Sequence, residues 1–384
     1  MTSFFVFIVI VLIGIAVWQL TRIFDLTQIG GVSAQSEIAN DNDNSVNGYL
    51  MFGFLGFIYI FTIYSLYAWG DFVLGTPGSE HGKEVDNLMN ISMAIIFFVQ
   101  TVTQFLLHYF SFKYRGKEGR KALYFADNNK LEAVWTIIPV IVLAGLVMYG
   151  LYTWNTIMFV TEEEKQDAIV IELYAKQFGW EARYAGEDKT LGKANVRLIE
   201  GINTLGVDLD DPAALDDKVV TELHLPKGKK VIFKIRSQDV LHSAYMPHFR
   251  AQMNCVPGMI TQFAFTPSVT TADMRNDEAI VKKVAKINDI RSKKSKALVA
   301  SGQSALDPYT FDYLLLCNKI CGASHYNMQM KIVVDTPADF KAWLAEKPTL
   351  EQQRNDANAP EAPAPAITNE VVVDTTVVLA QIIK

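Results

Sequence analysis

The sequence predicts an α-helical membrane anchor of about four spans, followed by an exported all-β domain. Half of the 384 residues are apolar, and they are concentrated before residue 160. After Trp154 the chain changes to short alternating stretches bounded by Pro, Gly and Asp. A fifth of the residues are charged, which is more than a purely membrane-embedded bundle carries, so two kinds of segment are expected.

The overall composition excludes two classes of protein. The formal net charge is −6, which excludes a generally basic nucleic-acid-binding protein. The chain has only three cysteines, Cys255, Cys317 and Cys321, so it cannot be a small domain stabilised by a disulfide framework.

Four apolar runs precede the β region, and the last three have the roughly 20 residues that a membrane-spanning helix needs. The first run is shorter and begins close to the initiator Met, so a signal peptide is the alternative for it. Against that alternative, no Lys or Arg precedes the run and no good cleavage pattern follows it directly. The four runs are Phe4–Leu20, Tyr49–Trp69, 89–112 and Trp135–Trp154.

The basic residues of the short loops predict the orientation of the spans, because cytoplasmic loops are enriched in Lys and Arg. The loop at 71–88 has only Lys83, and the first loop has only Arg22. Residues 113–130 are therefore expected to be cytoplasmic, and the chain after Trp154 to lie outside. The basic residues of this loop are Lys113, Arg115, Lys117, Arg120, Lys121 and Lys130.

Five stretches of alternating, β-branched and aromatic residues predict strands of a sandwich or small barrel. A short terminal helix is expected over Pro337–Leu344, with Thr336 as its cap. The predicted strands are 168–175, 230–235, 260–265, 311–316 and 328–334.

Two polar stretches interrupt this pattern, and a tail follows it. Residues 185–220 end in an acidic cluster, whereas residues 270–305 are rich in Lys. The basic stretch could be a helix that docks on a partner or a lipid surface, but a solvated surface excursion is the preferred interpretation. Residues 355–368 predict an extended Ala/Pro linker, and the apolar tail at 371–383 is too short to span a membrane.

The most informative motif runs from Cys317 to Met328 and reads Cys-x3-Cys-x3-His-x2-Met. Thiolate, thioether and imidazole donors together suit copper, whereas zinc rarely takes a thioether. His242, which follows a predicted strand, is the candidate for a further ligand from outside the motif.

Each of these residues also has a structural interpretation. A lone Cys or Met is most often core packing, and two exported cysteines could form a disulfide. The spacing of the four groups favours a metal site over these alternatives. For Cys255 and for His81, His108, His224 and His248, a structural or surface role is preferred, since none belongs to a ligand pattern.

On these residues the chain resembles subunit II of the haem–copper cytochrome c oxidases, from about residue 90 to 345. The resemblance implies two membrane helices followed by a cupredoxin-like Greek-key domain. It rests on the copper loop and on four further segments: Leu131–Pro139, Gln177–Trp180, Ser237–Ser243 and Val256–Gly258.

The resemblance also implies a division of the chain. Extra transmembrane helices would occupy residues 1–88, a transmembrane hairpin 89–156, and the cupredoxin-like domain, with its two insertions, 157–350. A linker and tail would follow at 351–384. The protein would be a multi-pass component of a bacterial inner membrane, with its β domain on the periplasmic side.

The family's motif implies a binuclear copper centre, CuA, in the β domain. Electrons from reduced cytochrome c would pass through it to haem in subunit I, where oxygen is reduced and protons are pumped. Subunit III and lipid are further expected partners. Cys317 and Cys321 would bridge the two ions; the other ligands would be His242, Met328, His325 and the carbonyl of Lys319.

Five positions bear on this resemblance. Lys319 stands where the family usually has a magnesium-binding Glu, so its ammonium would replace that cation or the magnesium would be missing. Phe178 stands where the electron-accepting motif usually has Trp, while Trp180 matches the second Trp of that motif. Asn254 replaces a usual acidic residue. Glu132 would lie at the mouth of a proton path, or would only favour the helix dipole.

Three alternatives share parts of these features. A quinol oxidase subunit would lack the copper ligands, all of whose side chains are present here. A nitric oxide or nitrous oxide reductase shares the copper loop, but the Glu132 helix motif and the lack of a fused catalytic domain favour the oxidase. A membrane-anchored copper chaperone would not need His325 and Met328.

Overall fold

A computed structural model describes residues 2–28, 40–70, 73 and 75–358 of the chain. Its N-terminal part consists of long helices, as the apolar runs predict. A short helix, α5 (Glu162–Asp167), then leads into the β domain. The four long helices are α1 (Thr2–Gln28), α2 (Asp41–Trp69), α3 (Gly82–Lys113) and α4 (Asn129–Met158).

Three of these helices, α2, α3 and α4, are long and apolar enough to cross a membrane. The apolar stretch described in α1 is Phe7–Thr21, which is shorter than a span. The prediction of a helical membrane anchor is therefore confirmed, with three spans of sufficient length among the described residues. Two of these helices begin with a side-chain cap. Asn40 caps α2 and Asn128 caps α4, and these side chains accept hydrogen bonds from backbone N–H groups.

Helices α2 and α3 pack together at the end that the basic loop predicts to be cytoplasmic. The Cα of Gly48 faces the ring of Phe112, and a Cβ at this glycine would lie 2.6 Å from a ring carbon. Asn44 donates to the carbonyl of Gly116 at 3.2 Å, and the Asp41 carboxylate accepts from the N–H of Glu118 at 2.8 Å. The absence of a side chain at Gly48 thus permits the close approach of the two helices.

The exported part is built on two five-stranded sheets, so the prediction of an all-β domain is confirmed. The first sheet has the order β3-β2-β1-β5-β8 and the second β4-β10-β9-β6-β7. Parallel pairs, β1–β5 and β4–β10, occur beside antiparallel ones, which requires long crossovers between the sheets. The strands are β1 (Ile169–Lys176), β2 (Gly179–Tyr184), β3 (Lys218–Val220), β4 (Leu223–Pro226), β5 (Val231–Ser237), β6 (His242–Met246), β7 (Ala251–Cys255), β8 (Thr261–Phe265), β9 (Tyr313–Cys317) and β10 (Gln329–Asp335).

The acidic insertion at 185–220 packs against the outer face of the first sheet. Leu205, Val207 and Ala214 are buried around Tyr174, which points outward from β1. Strand β1 is therefore buried on both faces along most of its length. Residues 185–220 therefore cover the outer face of the first sheet.

Helices occupy the second insertion and the end of the domain. The basic stretch contains α6 (Thr271–Arg275) and α7 (Glu278–Ala300). Helix α8 (Pro337–Ala345) begins as predicted, because the Thr336 side chain accepts from the N–H of Asp339. Helices α6 and α7 make up most of the chain between β8 and β9, and α8 follows β10.

The expected linker is partly wrong, because residues 350–358 form helix α9. Its first turn is stabilised by a reciprocal pair of bonds between Thr349 and Gln352, a capping box that sequence analysis missed. Leu350 and Arg354 also bond to carbonyls of the acidic insertion. The remaining linker and the apolar tail lie outside the described residues.

The β domain is tied to the anchor at the start of α3. Arg250 forms a two-point ion pair with Asp86, at 2.7 and 2.9 Å, and donates to the carbonyl of Gly75 at 2.6 Å. Ser79 donates to the carbonyl of Phe249 at 2.7 Å and is itself buried. These contacts fix the domain against the connection between α2 and α3.

An ion network is buried between the first sheet and its cover. Arg183 contacts Glu172 at 2.8 Å and Asp217 at 2.7 Å, and all three side chains are at most 5% exposed. Arg236 forms a second ion pair with Glu172. Removing one member of such a network leaves buried charges without a partner, which costs far more than a surface ion pair.

We expect Arg183→Ala to lower the free energy of unfolding by about 3–5 kcal/mol, because Asp217 would stay buried without its counter-charge and Glu172 would keep only Arg236. Chemical denaturation of the purified protein in detergent, followed by circular dichroism, measures this. Arg197→Ala, at an exposed position of the same insertion, is the matched control and should change stability by less than about 0.5 kcal/mol. Equal losses in the two variants would contradict the assigned role of the network.

Candidate metal centre

The Cys317–Met328 motif forms the loop between β9 and β10. The N–H of Cys317 donates to the carbonyl of Met328 at 3.1 Å, which closes the loop at its base. Within it, residues His325–Asn327 form a short 3-10 turn. The ends of the two paired strands thus hold the four donor side chains of the motif on one rigid hairpin.

His242 reaches this loop through the pairing of β6 with β9. Ala244 lies opposite Cys317 in the ladder, and Asn318 donates its N–H to the carbonyl of Ser243 at 3.1 Å. The side chain of His242, at the first position of β6, is fully buried beside the loop. The structure therefore brings the predicted distant ligand to the motif.

The donor atoms surround a common point. Cys317 Sγ lies 3.7 Å from His242 Nδ1, 3.9 Å from Cys321 Sγ and 3.2 Å from the carbonyl oxygen of Lys319. Cys321 Sγ lies 3.6 Å from His325 Nδ1 and 3.8 Å from Met328 Sδ. All six sequence-predicted metal ligands thus meet here, and among the described residues His242, Cys317 and Cys321 form the metal-competent group of His, Cys and acidic side chains.

These distances fit ligands that share metal ions. With metal–sulfur bonds of about 2.3 Å and metal–nitrogen bonds of about 2.0 Å, two ligands of one tetrahedral ion stand about 3.5–3.8 Å apart. All three cysteines of the chain are free thiols in the structure, so Cys317 and Cys321 are available as donors. The set of two thiolates, two imidazoles and one thioether combines three soft sulfur donors with two imidazole nitrogens, which favours copper.

The electrostatics of the loop also favour a bound cation. Burial, reinforced by the neighbouring Cys317, raises the pKa of the Cys321 thiol to about 11. Two adjacent thiolates would repel each other in such surroundings unless a positive charge lay between them. A metal ion supplies that charge and displaces the thiol protons.

Asp239 orients the buried histidine, and sequence analysis missed this role. Its Oδ1 lies 2.8 Å from His242 Nε2, while its Oδ2 accepts from the N–H of Gln177 at 2.8 Å. Burial of Asp239 opposes ionisation, but these bonds and the N–H of Val240 outweigh it and lower the pKa of the carboxyl. Nε2 of His242 therefore carries the proton, and Nδ1 presents its lone pair to the thiols. The short spacing between Asp239 and His242 was the available signal.

The predicted aromatic pair lies beside the loop, at different depths. Trp180 is 5% exposed and packs edge-on to His242, with ring centroids 6.4 Å apart. Phe178 is 39% exposed and lies over Gly322. A side chain at Gly322 would strike this ring, since its Cβ would stand 2.9 Å away, and the φ of 142° also requires glycine. Gln177, next to Phe178, donates its amide to the carbonyl of Cys321.

The two remaining predicted residues lie at the periphery or far from the loop. Lys319 contributes its carbonyl to the cluster, and the residue is exposed. Glu132 is exposed in the first turn of α4, at the opposite end of that helix from the β domain. The structure thus separates Glu132 from the metal-ligand cluster.

The other candidate donors stay outside the cluster. Cys255 is buried opposite His242 in the β6–β7 ladder, where burial raises the pKa of its thiol to about 12. His224 stacks on Trp343, and His248 packs edge-on to Phe311. These contacts agree with the packing roles that the sequence suggested.

Comparison with known proteins places the chain in a family. The family model "Cytochrome C oxidase subunit II, transmembrane domain" matches residues 67–153, and "Cytochrome C oxidase subunit II, periplasmic domain" matches residues 170–272. The protein is therefore membrane-anchored and has a periplasmic domain. The second match ends before the Cys317–Met328 loop.

Two of the similar proteins are named as subunit 2 of a cytochrome c oxidase. The alternative cytochrome c oxidase subunit 2 of Bradyrhizobium diazoefficiens is 33% identical over 293 residues, which are 76% of this chain and 88% of that protein. Cytochrome c oxidase subunit 2 of Thermostichus vulcanus is 23% identical over 317 residues, with 76% and 82% covered. The chain is also similar to a crystal structure of the periplasmic domain of cytochrome oxidase subunit II from Bradyrhizobium japonicum. The match covers 49% of this chain and 94% of that one, at 16% identity and a TM-score of 0.26, and no conclusion is based on it. The family models and the first relative together show that the chain belongs to the cytochrome c oxidase subunit II family.

Proposed function

We propose that the chain is the electron-input subunit of a proton-pumping terminal oxidase in a bacterial inner membrane. It would receive electrons from reduced cytochrome c on the periplasmic side and deliver them to haem in subunit I, where oxygen is reduced. Subunit III would complete the assembly. The observation that carries the proposal is the convergence of six donor groups on one loop of the periplasmic domain.

The donor set supports a binuclear copper centre of the CuA type. When bound, this centre supplies one-electron transfer with little rearrangement of its ligands. Cys317 and Cys321 would bridge the ions, because each thiol already lies near the other and near one histidine. His242 with Met328, and His325 with the Lys319 carbonyl, would complete the two ions. A copper chaperone needs fewer donors than this loop presents.

The chain's own residues would hold the site rigid and dry. The Asp239 carboxylate accepts the Nε2–H of His242 and so fixes the ring, while Met328 and Cys321 are buried against the core. The backbone ladder on both sides of the loop prevents the ligands from moving apart. A site with fixed ligands gains or loses an electron without waiting for the protein to reorganise.

For electron uptake, the geometry favours separate roles for the two aromatic residues. Phe178 lies at the surface beside the loop, where a redox partner can touch it. Trp180 is buried and packs on the ring of His242, so it would act between the surface and the metal-ligand cluster. Ile320 and Tyr326, which are 85% and 88% exposed, add apolar surface to the same loop.

We expect Cys317→Ser to abolish the binuclear centre, since it removes one of the two bridging thiolates. The near-infrared band, the EPR signal of a mixed-valence pair and copper content would report this loss. Cys255→Ala, which removes the buried thiol outside the cluster, is the matched control and should retain two copper ions per chain. A wild-type protein that binds a single copper ion would contradict the binuclear proposal.

Asp239→Asn should weaken copper binding about 10- to 100-fold, because the amide no longer holds the His242 ring with a charged acceptor. Competition with a copper chelator measures this affinity directly. Asp210→Asn, a change of the same chemistry at an exposed position, should leave the affinity unaltered. Equal affinities in the two variants would rule out a positioning role for Asp239.

Glu132 is proposed to deliver protons to subunit I from the cytoplasmic side. Its place in the first turn of α4, beside Lys130, agrees with the orientation that the basic loop predicts. The same place would also serve a helix-dipole role. The two roles differ in their effect on turnover.

Glu132→Gln in the assembled oxidase should lower steady-state oxygen consumption several-fold while the copper spectrum stays normal. Glu118→Gln, which removes a carboxylate from the same cytoplasmic loop region, is the control and should not alter turnover. Unchanged turnover in the Glu132 variant would leave only the helix-dipole role.

A further inference from the structure

Helix α7 is the most strongly basic element of the described chain, and the proposed function makes no use of it. Its 23 residues contain seven basic and two acidic side chains, a net charge of +5 in a chain whose net charge is −6. At about 1.5 Å per residue the helix is about 35 Å long. The match to the periplasmic-domain family model ends at residue 272, just before this helix begins.

One side of α7 is occupied by the chain's own contacts. Ile280 is buried in the core of the β domain. Further along, Asn288 exchanges two hydrogen bonds with the backbone of Tyr309, at 3.1 and 2.7 Å. Arg291 donates to the carbonyl of Asp307 at 2.8 Å, and Ser295 accepts from the N–H of Leu306 at 2.9 Å. The segment that returns to β9 thus lies along this side of the helix.

A different side carries a basic strip with an apolar residue in its middle. Lys283, Lys286, Ile290 and Lys294 are spaced by three or four residues, so they share one side of the helix, and all four are exposed. Ile290 is 65% exposed between the lysines. We call these four residues the basic strip.

The two acidic residues of α7 lie on another flank of the helix. Glu278 pairs with Lys282 at 2.7 Å, and Asp289 pairs with Lys293 at 2.6 Å. The basic strip therefore contains no acidic residue. Its positive charge is concentrated on one side of the helix.

The helix starts at the level of the membrane surface. Its N-cap residue, Asp277, accepts a hydrogen bond from the Thr76 hydroxyl at 2.6 Å. Thr76 belongs to the connection between α2, which ends at Trp69, and α3, which begins at Gly82. Since α2 and α3 are both long and apolar enough to cross the membrane, this connection would lie at its outer surface, on the side that the basic loop predicts. Helix α7 would therefore begin next to the lipid headgroups.

We propose that α7 is an interfacial helix whose basic strip binds anionic phospholipid headgroups in the outer leaflet of the same membrane. Lysines within reach of a negative leaflet are attracted to it, and an exposed Ile between them can enter the boundary between headgroups and acyl chains. Lysines spaced along one exposed side of a helix suit a fluid headgroup layer better than a shaped protein surface. The start of the helix beside two spans favours lipid over a soluble acidic partner.

Hydrogen–deuterium exchange of the full chain in lipid nanodiscs tests this proposal. We expect the amides of residues 278–300 to exchange about tenfold more slowly in discs that contain phosphatidylglycerol than in discs of pure phosphatidylcholine. High salt should remove the difference, because it screens the headgroup charge. Peptides from the β-sheets provide the internal reference for an intact fold.

A charge-reversal pair identifies the residues responsible. Lys283→Glu with Lys294→Glu should abolish the lipid-dependent protection, whereas Lys193→Glu with Lys341→Glu, two exposed lysines elsewhere on the domain, should preserve it. Equal exchange of α7 in both lipids would overturn the proposal, and the wild-type comparison decides this even if a variant fails to fold. Protection that appears only in the assembled oxidase, whatever the lipid, would assign α7 to an acidic protein surface instead.

Discussion

The candidate metal centre depends on the backbone pairing of β6 with β9. This ladder joins two segments that are about 75 residues apart and places His242 against Cys317. The other donors come from the hairpin between β9 and β10, which a second ladder holds closed. The site therefore exists only when both ladders are formed, and the second sheet is as much a part of it as the ligands are.

Burial gives this arrangement its chemical character. A thiol pair, a fully buried histidine and a thioether form a cluster that excludes water and disfavours a pair of unpartnered thiolates. A bound cation removes that cost, and folding free energy and metal affinity then become linked quantities. The buried Arg183 network resolves a similar problem differently, since there the chain itself provides both signs of charge.

The sequence predicts much of this architecture because its signals are local. The apolar runs, the alternation within β1, β5 and β10, and the Cys-x3-Cys-x3-His-x2-Met spacing each lie within a few neighbouring residues. Other features depend on contacts between distant segments. The docking of α9 on the acidic insertion was hidden by the Pro-rich composition that follows it, and the link from Asp239 to Gln177 needs the folded sheets. The packing of residues 185–220 over Tyr174 could not be read from their polarity, since only a few of those residues are buried.

The ion pair between Arg250 and Asp86 limits how far the β domain can move relative to the membrane anchor. A two-point ion pair, largely buried at the base of the β domain, resists rotation of that domain about the α4–α5 connection. The height and tilt of the Cys317–Met328 loop above the bilayer are thus set within a single polypeptide. A redox partner of the proposed kind would meet a preorganised surface and would lose no affinity to ordering it. The anchor's role is accordingly one of alignment as well as retention.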